Sequence, residues 1–453
     1  MIDQEDGCRT FRHSVYALLI LSSLTTMTAR VLSAQSRDGH TPFFSANDRS
    51  RWSTISALVD DGTYSIDRVR KRPGWQSIDM VQHRGRDGEL HFYSSKPPLY
   101  PTLLAGEYWL IRQLTNATFE HFPFGVARTM LIITNILPMG LFLILTAMLA
   151  EHLGETDFGR VFLVAAAAWG TFLTTFASTL NNHTPAAISV LVATLCVARI
   201  WQQRDESELD ANQSRPSAWL FIVAGVAGGF AAANDLPALS FTTLLSLTVW
   251  WLFPRPTLVW FVPALLFVAI AFFVTNYIAH DSWLPPYAHR QPGDNWYNFP
   301  GSYWYGSRKG VDLGEPSQMK YLFHMLVGHH GFFSLTPIWL LSLAGILMAL
   351  RNSDPRWRLL AAVTLLLFIV CVTYYTGFRP QRDRNFGGVT SGFRWLFWQI
   401  PLWLLMLVPV ADWLSETQRR KAFGLLLLAV STLSAAIPAA NPWSHPWIYQ
   451  IGQ

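Results

Sequence analysis

The sequence predicts an all-α polytopic membrane protein, with about eleven transmembrane helices and interfacial helices in the first loop beyond the membrane. Three observations predict it. Charged residues make up 14% of the chain and hydrophobic residues 51%, whereas soluble domains carry about 25% charged residues. Mean hydropathy is +0.23. The missing charge is concentrated: segments 129–150, 161–180, 216–234, 236–254, 257–278 and 359–378 contain no Asp, Glu, Lys or Arg. Each is close to the roughly 17–25 residues that cross a bilayer as a helix. One such run would suit a buried helix of a soluble core; six repeat a membrane pattern.

Spans are expected near 14–34, 127–150, 160–180, 184–200, 216–234, 236–254, 257–278, 332–350, 358–377, 395–412 and 422–440. The first follows Arg9 and Arg12 and ends near Ser33-Ala34. A cleaved signal peptide has that layout, but an uncleaved span connects more naturally to the membrane body. No internal repeat divides the chain, so residues 1–453 read as one integral-membrane domain. Two long segments leave the membrane, 35–125 and 279–331. The stretch 201–217, with Asp205, Glu206, Glu208 and Asp210, reads as a cytoplasmic linker.

Orientation follows from Lys and Arg in short loops. With the N-terminus inside, the inner loops hold eleven: Arg160, Arg199, Arg204, Arg215, Arg255, Arg351, Arg356, Arg358, Arg419, Arg420 and Lys421. The short outer loops hold four: Arg379, Arg382, Arg384 and Arg394. The expected topology is therefore a multi-pass protein of the cytoplasmic (inner) membrane, N-terminus in the cytoplasm and both long loops outside. Segment 97–114 contains Glu107 and Arg112 and reads as a helix lying in the interface. If it spanned, every later loop would change sides.

The formal net charge of +5 does not point to nucleic acid, because the arginines flank the spans. Cys8, Cys196 and Cys371 have neither disulfide-framework nor metal-site spacing.

Several residues remain as candidates for chemistry. Asp48 heads the run Trp52, Ile55, Leu58-Val59, a short amphipathic helix just past the first span. It suits a general base acting on a hydroxyl, and equally a plain helix cap. Lys96 stands in Ser94-Ser95-Lys96-Pro97-Pro98-Leu99. The prolines fix the backbone and favour a helix start immediately after them. Lys96 then reads as a held cation for a phosphate, or as a lysine snorkelling at the interface. Arg379, Arg382, Arg384 and Arg394 oppose the positive-inside trend. A lipid phosphate would compensate them, with Arg394 the favoured ligand and Arg382 and Arg384 balanced against a solvated turn.

His183, in Asn181-Asn182-His183, and Asp235, in Asn234-Asp235, put ionisable groups at one membrane face, as substrate-cavity candidates or as simple re-entry turns. His329 and His330 are adjacent, a spacing that turns rings apart on a helix and disfavours a joint metal site. Trp283, Tyr287, Trp296, Tyr297, Tyr303, Trp304 and Tyr305 crowd the second long loop. They suit an interface belt or stacking on sugar faces.

Asp48 after the first span, then Tyr93-Ser94-Ser95-Lys96-Pro97-Pro98-Leu99 before an interfacial helix, then many spans, resembles the type C integral-membrane glycosyltransferases. The resemblance is to the branch of protein O-mannosyltransferases, lipid A aminoarabinose transferases and rhizobial lipopolysaccharide transferases. It implies transfer of a sugar, with inversion, from a polyprenyl-phosphate donor to an extracytoplasmic lipid, glycan or protein. It also implies that Asp48 is the base or an acceptor- or metal-binding group, and that Lys96, with Arg394, serves the donor phosphate; Tyr93, in the same string, is a further substrate-cavity candidate. Arg49 stands where that family often has a second acidic residue, which leaves a divalent metal an open assignment. A transporter or flippase of lipid-linked glycans, or a non-catalytic assembly subunit, would share the spans without needing Asp48 opposite Lys96.

Overall fold

The computed structural model describes residues 2–209, 216–306 and 308–451. It is a bundle of apolar helices with two small β-hairpins at one end. Among the described residues, seven helices are long and apolar enough to cross a membrane: Gly7–Ser33, Pro123–Leu153, Asp157–Phe176, His183–Asp205, Pro254–His280, Pro355–Phe378 and Gln418–Ala440. The bent pair Arg394–Leu405 and Val408–Leu414, broken by 54°, makes an eighth if it is one span.

The expected count of about eleven is therefore corrected to seven or eight. The other three expected spans are the shorter apolar helices Ala218–Asn234, Leu236–Leu252 and Ile338–Leu350. At 1.5 Å per residue, the last, of 13 residues, rises only about 20 Å, short of a hydrocarbon core of roughly 30 Å. The expected linker at 201–217 is likewise helical as far as Leu209; Asp210 and the rest of 210–215 lie outside the described residues.

Cross-contacts define the two ends of the bundle. At one end the Arg12 guanidinium donates to both oxygens of Glu151, at 2.7 Å each, and to Asp157 at 2.7 Å. Burying such a charge is costly unless it is paired, and here it is paired twice. At the other end Arg128 donates to the Ala34 carbonyl at 2.9 Å. The chain thus leaves the first helix and enters Pro123–Leu153 at the same end.

Everything from 35 to 122 lies between those two points. The helix Leu99–Thr115 is not among the described helices long and apolar enough to cross a membrane. Tyr108 donates to Asp60 at 2.9 Å, Arg112 to Asp60 at 3.1 Å and Thr134 to Glu107 at 2.7 Å. Leu99 and Tyr108 are buried, whereas Leu103, Trp109 and Leu114 are exposed on its outer face.

The segment before it folds on an aromatic core. Phe43 stacks on Trp52, and Trp75 and Phe119 meet them edge-on, with ring centroids 4.8–5.6 Å apart. An antiparallel hairpin follows, Met80–Arg84 against Leu90–Ser94, with Val81 opposite Tyr93. The second long loop docks on it: Gln82 donates its amide to Trp296 at 2.8 Å, and the Trp304 indole donates to the Ile78 carbonyl at 2.9 Å. These contacts hold the residues on either side of the hairpin, Asp79 and Lys96, beside the helix ends.

Candidate active site

The short helix Ala46–Ser56 is where the site begins. Ser45 and Asp48 form a capping box, each side chain bonding the other's backbone amide, which satisfies the orphan donors of a helix start. Almost the whole helix is buried, its polar residues included: Asn47, Asp48, Ser50, Arg51, Ser53, Thr54 and Ser56. Water is excluded from these groups, so each has a protein partner or needs a ligand.

Asp48 is well partnered. Its carboxylate accepts from the amides of Phe44 (3.0 Å), Ser45 (2.9 Å) and Arg49 (2.7 Å). It also accepts from the hydroxyls of Ser45 (3.2 Å) and Thr179 (2.8 Å). Burial nonetheless pushes its carboxyl above the usual range, against the pull of the Phe44 and Ser45 amides. That direction strengthens a base.

One turn on, Arg51 is 5% exposed. It donates to the Asn182 side chain at 2.6 Å and to the Asn47 carbonyl at 3.2 Å. Burial, then the nearby charge of Arg394, brings its guanidinium down to about 10. Asn182 in turn donates to Asp235 at 3.1 Å and to the Asn234 carbonyl at 2.8 Å.

Lys96 is held as the proline pair suggested, and its anion is one of the protein's own: Nζ lies 2.9 Å from Asp79. Asp79 is fixed by its backbone, which accepts from the Ser50 hydroxyl and the Ser95 amide. Burial would raise the Asp79 carboxyl, but the Lys96 charge holds it below the usual range. Burial draws Lys96 down to about 8, with Asp79 opposing and Arg51 and Arg394 adding to the fall.

Arg394 enters from the far end of the sequence, at the start of the bent pair. It donates to the Gly387 carbonyl at 2.7 and 3.3 Å and to His183 Nε2 at 3.0 Å. Because an arginine only donates, Nε2 is the acceptor and His183 carries its proton on Nδ1. That Nδ1 faces Asp235 at 2.7 Å. Trp443 lies under the Arg394 guanidinium, 4.9 Å away, and donates to the Thr179 hydroxyl at 3.1 Å. Thr179 bonds Asp48, so the Asp48 carboxylate and the Arg394 guanidinium sit two side chains apart.

The structure thus brings Asp48, Lys96, Arg394, His183 and Asp235 to one end of the bundle. Arg382 and Arg384 do not join them: Arg382 is exposed, and Arg384 donates to the Pro316 and Arg379 carbonyls at 3.1 and 3.3 Å. Tyr93 stands apart too, its ring stacked on His83 at 4.2 Å in a wedge with Val81 and Tyr297. His329 and His330 lie in a turn rather than on a helix, and their two Nδ1 atoms are in hydrogen-bond contact. Among the described residues, no group of three or more His, Cys, Asp or Glu is placed to hold a metal ion.

Sequence reading missed Arg51, Asp79 and Asn182. A signal for the first existed: Asn47, Ser50, Arg51 and Thr54 follow i, i+3, i+4, i+7, a polar stripe at the spacing that normally marks an apolar face. Asp79 carried no signal, because only the hairpin brings it to Lys96.

No family model matches the chain, and no curated protein is similar to it. Among solved structures it is similar to the oligosaccharyltransferase of Archaeoglobus fulgidus. The apo form aligns at 13% identity over 96% of this chain and 56% of that one, with a TM-score of 0.47. The oligosaccharyltransferase AglB of the same organism, in complex with an inhibitory peptide and a dolichol-phosphate, aligns at 13% identity over 94% and 56%, with a TM-score of 0.47. The zinc and sulfate complex gives 15% identity over 94% and 53%, with a TM-score of 0.48. The chain spans little more than half the length of the chains it aligns with.

Proposed function

We propose that this chain is a membrane glycosyltransferase that moves a sugar, with inversion, from a polyprenyl-phosphate donor to an extracytoplasmic acceptor. One observation carries the reading. Arg51 and Arg394 are buried, 5% and 8% exposed, and bond neutral groups. Among the described residues neither has a carboxylate within the 4.0 Å of an ion pair. A buried cation without a bonded anion is costly. With Lys96 beside them, the two guanidiniums form a seat for an anion, and the phosphate of a lipid-linked sugar reaches such a seat from the membrane.

In this reading the sugar–phosphate bond breaks and the lipid phosphate leaves with the bonding electrons, onto Lys96, Arg51 and Arg394. The acceptor oxygen bonds the sugar carbon from the opposite side. Its proton passes to Asp48, the acceptor hydroxyl taking the place of Thr179 at Oδ2. Asp235 orients His183 and through it Arg394. No step runs through a metal. Arg382 and Arg384 would meet the donor only at the outer rim, and Tyr93 shapes the wall through His83 and Tyr297.

The test is turnover by the full chain in vesicles supplied with polyprenyl-phosphate sugars, read as release of polyprenyl phosphate. Lys96→Ala and Asp48→Asn should each insert normally and lose release. A flippase would move the labelled lipid across the bilayer and leave the sugar–phosphate bond intact. An assembly subunit would be indifferent to both substitutions.

A further inference from the structure

A half-open chamber of about 790 Å³ lies in the other half of the bundle. Its walls are apolar and come from five helices, represented by Leu149, Leu195, Leu244, Leu360 and Leu402. On the helix His183–Asp205 it runs from Thr194 to Gln202, eight residues or about 12 Å of rise. It begins eleven residues from His183, about 16 Å along the helix from the candidate active site. Met148, 62% exposed, marks the margin where it meets the surroundings of the bundle.

The end farthest from His183 is polar. His152, Arg199, Gln202 and Arg356 rim it, with Asp354 among them. Arg199 donates to neutral Gln202 at 2.6 Å. Arg356 lies 2.9 Å from Asp354, the cap of its own helix, and 3.4 Å from Asp205.

We propose that this chamber holds an anionic phospholipid from the leaflet opposite the candidate active site. Its acyl chains fill the apolar walls, and its phosphate rests on Arg199 and Arg356. The apolar walls offer water few hydrogen-bond partners, and within a bilayer acyl chains are the apolar molecules at hand. A depth of about 12 Å is under half a hydrocarbon core of roughly 30 Å, which matches one leaflet. Basic pockets between spans recognise anionic headgroups. Arg356 already has Asp354 and Asp205, but Arg199 bonds only the neutral Gln202, and an anionic headgroup supplies the charge it lacks. The lipid would press on Leu402 and Phe241. Phe241 meets Trp398 at 6.5 Å between ring centroids, in the segment that begins with Arg394.

Native mass spectrometry of the full chain in detergent, titrated with phosphatidylglycerol and phosphatidylcholine of matched chains, tests the assignment. One phosphatidylglycerol should be retained in preference to phosphatidylcholine. Arg199→Gln and Arg356→Gln should each weaken it about ten-fold, the scale of one charge-assisted hydrogen bond. Leu244→Trp, which fills the chamber, should exclude both lipids. Lys96→Ala, at the other end, should leave retention unchanged. Equal retention of the two lipids, indifference to Leu244→Trp, or occupation of the chamber by added polyprenyl phosphate in place of phosphatidylglycerol would each overturn the proposal.

Discussion

At the residue scale the account rests on Lys96 and its surroundings. The ammonium is drawn down to about 8 chiefly by burial, with Asp79 resisting. The sign is definite: below pH 8 the free protein carries the cation, and above it the cation is lost. The donor's kcat/KM should therefore fall as pH rises through about 8. Lys96→Arg should move that limb upward by keeping a charge, while lowering the plateau because a planar fork does not replace a compact ammonium. A profile flat through pH 9 in the wild type would contradict the assignment. Asp48→Asn should cost roughly 10²–10⁴-fold in kcat with donor binding retained, read by single-turnover kinetics. Asp79→Asn should instead alter donor binding, because it removes the anion that the phosphate must displace from Lys96. Lys96 was legible because the proline pair announces a fixed position, and Arg394 because it defies the charge bias of the loops. Asp79 was not legible, since its meaning comes from a hairpin that joins residues seventeen positions apart.

At the scale of elements, the helix Ala46–Ser56 is the part whose integrity the site needs most. It carries Asp48 and Arg51 and is held by the Ser45 cap and the Trp52 aromatic core. Ser45→Ala removes a cap worth typically about 1 kcal/mol and frees one donor from Asp48. Thermal denaturation in detergent should show that loss, and polyprenyl-phosphate binding should weaken with it. Unchanged binding with lowered stability would separate the cap from the site. The helices of the spans were readable from uncharged runs alone. The hairpin was not, because strands Met80–Arg84 and Leu90–Ser94 mix charged, polar and apolar residues without regular alternation. Their burial comes instead from the second long loop, through Trp296 and Trp304. The same docking explains the loop's aromatic content at those two positions, while Trp283 and Tyr305 remain exposed.

For the molecule as a whole, the sequence overcounted spans because hydropathy registers apolar segments regardless of their length in three dimensions. Leu236–Leu252 and Ile338–Leu350 are as apolar as their neighbours but no longer than 17 residues each. The architecture brings the buried Arg51 and Arg394 and the half-buried Lys96 to the end of the bundle reached by both long loops. The chamber proposed for a phospholipid lies toward the other end. Cysteines introduced at Arg37 and Glu155 should accordingly react with a membrane-impermeant thiol reagent from opposite sides of intact vesicles; labelling from one side would contradict the crossing assigned to Pro123–Leu153. The central claim is that Arg51, Lys96 and Arg394 together seat a lipid phosphate. The most direct measurement is equilibrium binding of polyprenyl phosphate and of uncharged polyprenol to the full chain and to Arg51→Gln, Lys96→Ala and Arg394→Gln. The account predicts strong preference for the phosphate, and a roughly ten- to hundred-fold loss for each variant, the scale of one charged hydrogen bond. Equal binding of polyprenol, or three variants that bind as the wild type does, would contradict it.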